Sequence, residues 1–154
     1  MKTKPLAVSP LEAHLGYWLR FVSNQVSHSF SLKLAERGVT VAEWVVLREL
    51  FECAAMAPSA LAERIGMTRG AISKLADRLE AKALLTRTIS DEDRRYQALA
   101  VTAKGRALLP KLAALADQND AAFFGHLSAA ERERIKSAMC EIVRRHGLKA
   151  VPVD

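Results

Sequence analysis

Between Ser59 and Gly105 the residues spell two short helices joined by a tight turn, a hairpin, and the start of another helix. Few folds accept that order at such short spacings. The first helix is expected from Ser59 to about Ile65, with Leu61, Ala62 and Ile65 buried. Gly66 ends it, since glycine enters the left-handed conformation that closes a helix. After Met67, the Thr68 hydroxyl is placed to cap the second helix. There Ile72, Leu75, Ala76 and Leu79 recur at helical spacing and define one buried face. The opposite face carries Gly70, Ser73, Lys74, Asp77 and Ala81, with Arg69 and Arg78 at its edges. Residues 85–89 and 96–101 have strand composition and alternation. The six residues Ser90–Arg95 between them are polar and charged.

Small and basic residues on an exposed helix face suit a DNA major groove. A hairpin tip ending in Arg94-Arg95 suits the negative potential of a narrow minor groove. Either feature alone is ordinary: capped amphipathic helices usually just pack, and charged hairpin tips are usually just solvated. Together and in this order they make a winged helix-turn-helix. The residues expected to touch double-stranded DNA are Thr68, Arg69, Gly70, Ser73, Lys74, Arg78, Arg94 and Arg95. Asp93 is expected to brace Arg95 by a charge-assisted hydrogen bond.

Four runs carry a family resemblance: Leu61–Gly66, Ala71–Glu80, Asp91–Arg95 and Val101–Gly105. With them the chain resembles the MarR family of bacterial transcriptional regulators over nearly its whole length. The pair Asp93 and Arg95, followed by Thr102-Ala-Lys-Gly105, is the most specific part. Two positions depart from the family pattern. Ala83 stands where the family usually has glycine after the recognition helix, which bears on how that helix ends. Val101 stands where leucine is usual, a mild apolar exchange. The resemblance implies a regulator whose DNA binding is relieved by small anionic aromatic ligands held between the dimerisation helices and the DNA-binding lobe. The residues best placed for such a pocket are His14, Tyr17, Trp18, Trp44 and Arg48. Arg20 is an alternative cation, and a tryptophan on an apolar stripe equally suits the core.

The rest of the chain is a helical frame. Ser9-Pro10-Leu11-Glu12 reads as a capping box for a long helix to about Glu36. Its apolar stripe is Leu11, Leu15, Trp18, Leu19, Val22, Val26 and Phe30, and Gly38 stops it. Thr40-Val-Ala-Glu43 is a second capping box, opening a helix to about Glu52, and residues 53–58 form a loop. Thr102 caps a helix from Ala103 to about Phe124. Pro110 removes one of its backbone donors and is expected to kink it. Ser128-Ala-Ala-Glu131 is a third capping box. The last helix carries Ile135, Ala138, Met139, Ile142 and Val143 on one face. The tail from Gly147 is expected to be loosely ordered.

The fold class is therefore mainly α with a small β-hairpin wing: one domain over residues 1–154. A winged helix-turn-helix occupies about 40–101, and dimerisation helices occupy about 9–37 and 103–146. One recognition helix reads few base pairs, whereas two copies about a two-fold axis read a pseudo-palindrome. This argues for a homodimer. Leu6, Leu11, Leu15, Ile135, Met139, Ile142 and Val143 are candidates for its interface, or else for the core of the single chain.

Composition agrees. The 154 residues suffice for one sizeable core, and the formal charge of +6 favours an anionic partner. Cys53 and Cys140 are too few and too far apart for a disulfide framework and read as small buried residues. His14, His28, His126 and His146 have no metal-ligand spacing, so neither metal nor cofactor is expected. No nucleophile, base and orienter can be read together, which weighs against an enzyme. No run approaches a transmembrane length and residues 1–5 lack a signal-peptide core, so a cytoplasmic location and no membrane partner are expected. The functional reading is a DNA-binding regulator, a repressor relieved by a small aromatic or anionic ligand. A protein-binding adaptor on the same fold is the alternative.

Overall fold

The computed structural model describes residues 8–89 and 97–149. Leu6, Asp93, Arg94, Arg95 and the end of the tail lie outside them. The elements in order are α1 (Leu15–Ala35), α2 (Val41–Phe51), α3 (Pro58–Ile65), α4 (Arg69–Ala81), β1 (Leu85–Ile89), β2 (Gln97–Val101), α5 (Ala103–Phe124) and α6 (Ala129–His146). The mainly helical fold with one hairpin is the one expected.

The core lies where α2, α3, α4, the hairpin and α5 meet. Val46, Leu47, Leu50, Leu61, Ile72, Leu79, Leu99, Leu109 and Leu112 are sealed there, with Leu34 from the end of α1. Burying each such side chain contributes about 1.5–3 kcal/mol relative to exposure. β1 and β2 pair antiparallel from Leu85 with Val101 at the base to Ile89 with Gln97 toward the tip. The expected loop before α3 has one feature the sequence did not signal. Met56 exchanges two backbone hydrogen bonds with Leu99, 2.9 and 2.8 Å, and so clips the loop to β2.

Two of the three capping boxes form. The Thr40 hydroxyl accepts the Glu43 amide at 3.2 Å and the Glu43 carboxylate accepts the Thr40 amide at 2.9 Å. Ser128 and Glu131 make the same exchange. The box at Ser9 does not form. Leu11–Ala13 make a single 3₁₀ turn with no side-chain cap, and α1 starts only at Leu15. His14 is extended between them, at φ −95° and ψ 123°. Trp18 Nε1 donates to the Glu12 carbonyl at 2.9 Å, holding the turn back against α1 in that geometry.

α5 runs through Pro110 to Phe124. It is clasped to α1 by buried Asn119, whose Nδ2 donates to the Val26 carbonyl at 3.1 Å. The Asn119 Oδ1 accepts Lys33 Nζ at 2.9 Å. Arg106, near the start of α5, donates to the Phe51 and Cys53 carbonyls at 3.0 and 3.2 Å and lies over the Phe51 ring. It thereby closes the C-terminal end of α2, where helix carbonyls lack partners. Cys53 is half-buried, but Cys140 is exposed, against the expectation that both are core residues. The reason is that α6 has no buried residue at all in the single chain.

α4 closes through Ala83 at φ 57°, the one non-glycine residue with positive φ among the described residues. The Ala83 amide donates to the Glu80 carbonyl at 2.8 Å and the Leu84 amide to the Leu79 carbonyl at 2.9 Å. This is the Schellman closure, with Leu84 and Leu79 both buried. A left-handed alanine costs about 1–2 kcal/mol. Ala83→Gly is therefore expected to stabilise the chain by about 0.5–1 kcal/mol, after glycine's greater unfolded-state freedom is deducted. The check is a higher midpoint in urea at unchanged slope. A lower midpoint would mean that Ala83 is unstrained.

Candidate nucleic-acid interface

α3 and α4 are joined through Gly66, left-handed at φ 70°, and the Met67 amide returns to the Ala62 carbonyl at 3.0 Å. The Thr68 hydroxyl then accepts the Ala71 amide at 3.1 Å and caps α4. Ile72, Leu75, Ala76 and Leu79 anchor α4 in the core. That burial leaves Thr68, Arg69, Gly70, Ser73, Lys74, Asp77 and Arg78 exposed on the other side. The division expected from helical spacing is the one observed. A concavity of about 510 Å³, lined by Ser59, Glu63, Thr68 and Arg69 among others, opens between α3 and the start of α4. Backbone amides in the first turn of α4 have no helical acceptor and suit a phosphate.

The sequence reading missed Arg87 on β1. Its Nη2 donates to Asp77 Oδ1 at 2.6 Å and to the Ser73 carbonyl at 3.2 Å, and its Nε lies 3.3 Å from Glu80 Oε2. Asp77 is the acidic residue on an otherwise basic face, and this pairing offsets a charge that would repel phosphate. It also joins the wing to the recognition helix. Alternation along β1 points Arg87 and Leu85 to one side, but which helix they meet is set by tertiary packing.

A second missed bracket sits at the far end of α4. Lys82 Nζ donates to Glu43 Oε2 at 2.7 Å, to Glu43 Oε1 at 2.9 Å and to the Gly38 carbonyl at 2.8 Å. Glu43 is only 1% exposed. The recognition helix is thereby fixed to the α1–α2 turn. A surface pair on α2 and α3, Arg64 to Glu49 at 2.7 Å, adds little by comparison.

The proposed pocket residues are not brought together in the single chain. Tyr17 and Trp18 stack edge to face at the start of α1, 5.2 Å between centroids, beside His14. Trp44 instead packs edge-on against Phe30 at 6.1 Å. Phe30 is twelve residues along α1 from Trp18, about 18 Å at the helical rise. Arg48 is exposed and pairs with Glu52 at 3.1 Å.

The interface candidates among the described residues are exposed, which removes the reading that these fill the core of one chain. Leu11 and Leu15 are uncovered at one end, and Ile135, Met139, Ile142 and Val143 along α6. Trp18, Leu19, Phe21 and Val22 extend the same apolar exposure along α1. On α6, the Ser128 amide and hydroxyl hold the Glu131 carboxyl below the usual carboxylate range. The Arg144 and Arg145 guanidiniums do the same for Glu141. Among the described residues no group of His, Cys, Asp and Glu is placed to hold a metal, and no helix is long and apolar enough to cross a membrane.

A capped, half-exposed recognition helix behind a shorter helix and beside a two-stranded wing defines a winged helix-turn-helix protein. The chain is similar to the MarR family, whose model its residues 39–96 match. It is 29% identical over 125 residues to an HTH-type transcriptional repressor of Mycobacterium tuberculosis, covering 81% of this chain and 90% of that one. The fold is shared with Staphylococcus aureus MepR in a DNA complex: TM-score 0.76 and 21% identity over 86% of this chain and 98% of that one. It is shared also with CouR of Rhodococcus jostii bound to p-coumaroyl-CoA, at TM-score 0.75 and 25% identity over 88% and 95% of the two chains.

Proposed function

We propose that this regulator is a homodimeric repressor of a pseudo-palindromic operator, relieved by a small aromatic or anionic ligand. The observation that carries the DNA reading is the exposed face of α4, where Arg69, Ser73, Lys74 and Arg78 stand clear of the core and Arg87 offsets Asp77. Thr68 and Gly70 complete the face, and Arg94 and Arg95 at the wing tip add phosphate or minor-groove contacts, braced by Asp93. The apolar faces of α1 and α6 support the dimer, with Leu6, Leu11, Leu15, Ile135, Met139, Ile142 and Val143 meeting across a two-fold axis. The repressor sense is supported by the name of the M. tuberculosis relative. The effector reading is supported by the ligand bound to CouR. Of the residues first assigned to the effector site, His14, Tyr17 and Trp18 stand together at the start of α1 and remain its candidates, with Trp44 and Arg48 placed elsewhere.

The test is selection of bound duplexes from a random pool, with sedimentation of the wild-type protein. Recovered sites are expected to be inverted repeats with half-sites roughly 10 bp apart, bound by a dimer at micromolar concentration. Arg69→Ala or Lys74→Ala is expected to cost about 1–3 kcal/mol where the native side chain reaches a base edge. Arg94→Ala/Arg95→Ala is expected to lower the salt dependence by about one unit of log–log slope for each arginine that meets a phosphate. A monomer in sedimentation removes the dimer, and unchanged affinity in all these variants removes the interface.

A further inference from the structure

Where α1 leaves the core, its contact with α5 buries one side chain, and that side chain is polar. α1 itself buries Leu34 alone, near its C-terminal end. α5 buries Gly105, Leu109 and Leu112, and beyond them only Asn119, 3% exposed. Asn119 Nδ2 donates to the Val26 carbonyl at 3.1 Å and its Oδ1 accepts Lys33 Nζ at 2.9 Å. Lys33 Nζ also donates to Ser29 Oγ at 2.8 Å, so neutral oxygens on both helices hold the ammonium. Only one orientation of the amide works. A carbonyl can only accept and an ammonium can only donate, so a flipped Asn119 loses both bonds.

Shape does little to hold the two helices at this level. A groove of about 200 Å³, lined by Val26, Ser27, Phe30, Ala116, Asn119 and Asp120, runs beside the contact. Side chains that do not interdigitate leave the angle between helices to the directed bonds. Toward its C-terminus α1 is fixed by sealed Leu34 and by Phe30 against Trp44. Toward its N-terminus Leu15, Trp18, Leu19, Phe21 and Val22 are exposed. α1 is thus a lever anchored at one end, and the bond from Asn119 to Val26 is its outer tie. From Val26 back to Gly16 is about 15 Å of helix. A swing of about 10° moves that end by about 3 Å, close to the step of about 3.4 Å along a duplex.

We propose that Asn119 is a positioning residue that fixes the angle of α1 on the DNA-binding lobe, and with it the half-site spacing that the dimer accepts. A leucine here would fill a similar space, and apolar replacement of a buried polar group is often neutral or stabilising. What the amide adds is direction: it admits one placement of α1, as a buried asparagine fixes register in a coiled coil. The dimer surface lies on the free part of α1, so an error in its angle is applied twice across a two-fold axis. The consequence for spacing rests on the dimer and DNA reading above. The angle itself does not.

The experiment compares the full-length protein with Asn119→Leu in two readouts. The first is the distance between spin labels at Gly16→Cys and Glu63→Cys, in a Cys53→Ser/Cys140→Ser background. An added Cβ at Gly16 meets nothing within 4 Å, and Glu63 is exposed. Dilution with unlabelled chain restricts the signal to pairs within one copy. Asn119→Leu is expected to broaden the distribution by about 3 Å, the lever movement above. Lys33→Met leaves Asn119 in place and is the second variant if leucine disturbs folding; a smaller broadening is expected. The second readout is affinity for the selected operator and for the same site with one base pair added between half-sites. The parent is expected to prefer the first by about tenfold or more, and Asn119→Leu by about threefold or less. Lys74→Ala is expected to weaken both sites alike, which separates lost contact from lost spacing. Unchanged distances in the folded variants overturn the proposal. So does unchanged spacing preference in a variant whose distances have broadened. A parent that binds no duplex removes the DNA reading instead, and the distances then decide the role of Asn119 alone.

Discussion

Lys82→Met is expected to destabilise the protein by about 3 kcal/mol. Removing one partner of a buried ion pair costs about 3–5 kcal/mol, because the other charge stays buried without compensation. Here that charge is Glu43, 1% exposed, while the Lys82 side chain is 38% exposed. Partial solvation of the lysine places the cost at the low end of the range. The methionine stem still packs, so the loss is electrostatic and not a cavity. The double variant Glu43→Gln/Lys82→Met is expected to recover part of the loss, since no charge is then stranded. The measurement is urea unfolding of the four members of the cycle. A loss below about 0.5 kcal/mol in Lys82→Met would show that the pair behaves as a surface pair, and the bracket would be discarded. Operator affinity provides a second readout. Lys82 touches no DNA in the proposed complex, yet it ties α4 to the Gly38 carbonyl. A weakened operator at full folding would mark it as a positioning residue for the recognition helix.

What the sequence disclosed follows from the range of the interactions. Thr40 with Glu43 and Ser128 with Glu131 are three residues apart, so the residues that make each cap are also those that announce it. The face of α4 was legible for the same reason: Ile72, Leu75, Ala76 and Leu79 divide a helix without reference to the rest of the chain. Ser9 carries the same local pattern and fails: the chain makes only a 3₁₀ turn there, and Trp18 Nε1 occupies the Glu12 carbonyl that an uninterrupted helix would use. The brackets were illegible. Lys82 and Glu43 are 39 residues apart, and Arg87 and Asp77 meet only when β1 turns back beside α4. Cys140 shows a related limit. An apolar helix face reads alike whether it meets its own chain or another copy, and α6 buries no residue in the single chain. The aromatic pocket was drawn from residue types, and Trp44 found Phe30 in place of Trp18.

Gly105→Ala is expected to destabilise the protein by about 2 kcal/mol, although alanine is the better helix former. At Gly105 an added Cβ would overlap the Leu84 carbonyl oxygen and lie 2.6 Å from Val101 Cγ1. That carbonyl cannot move freely, because it accepts the Thr102 amide at 3.1 Å. The Thr102 hydroxyl donates to the neighbouring Ala83 carbonyl at 2.7 Å while accepting the Gly105 amide at 3.1 Å. The end of α4, the base of the wing and the start of α5 thus converge on one small volume. This gives the Thr102-x-x-Gly105 spacing its physical reason: threonine links the strands of chain and glycine leaves room for them. Overpacking a tight site costs about 1–3 kcal/mol. A backbone obstacle puts this site at the top of that range, and helix propensity returns up to about 1 kcal/mol. Gly16→Ala is the matched control. Gly16 also lies in the first turn of a helix, and nothing stands within 4 Å of its added Cβ. That variant is expected to be neutral or more stable by about 0.5–1 kcal/mol. Urea midpoints of the two variants decide the matter. If both move upward together, Gly105 is only a poor helix former, and the close approach of α5 to the wing base does not constrain the fold.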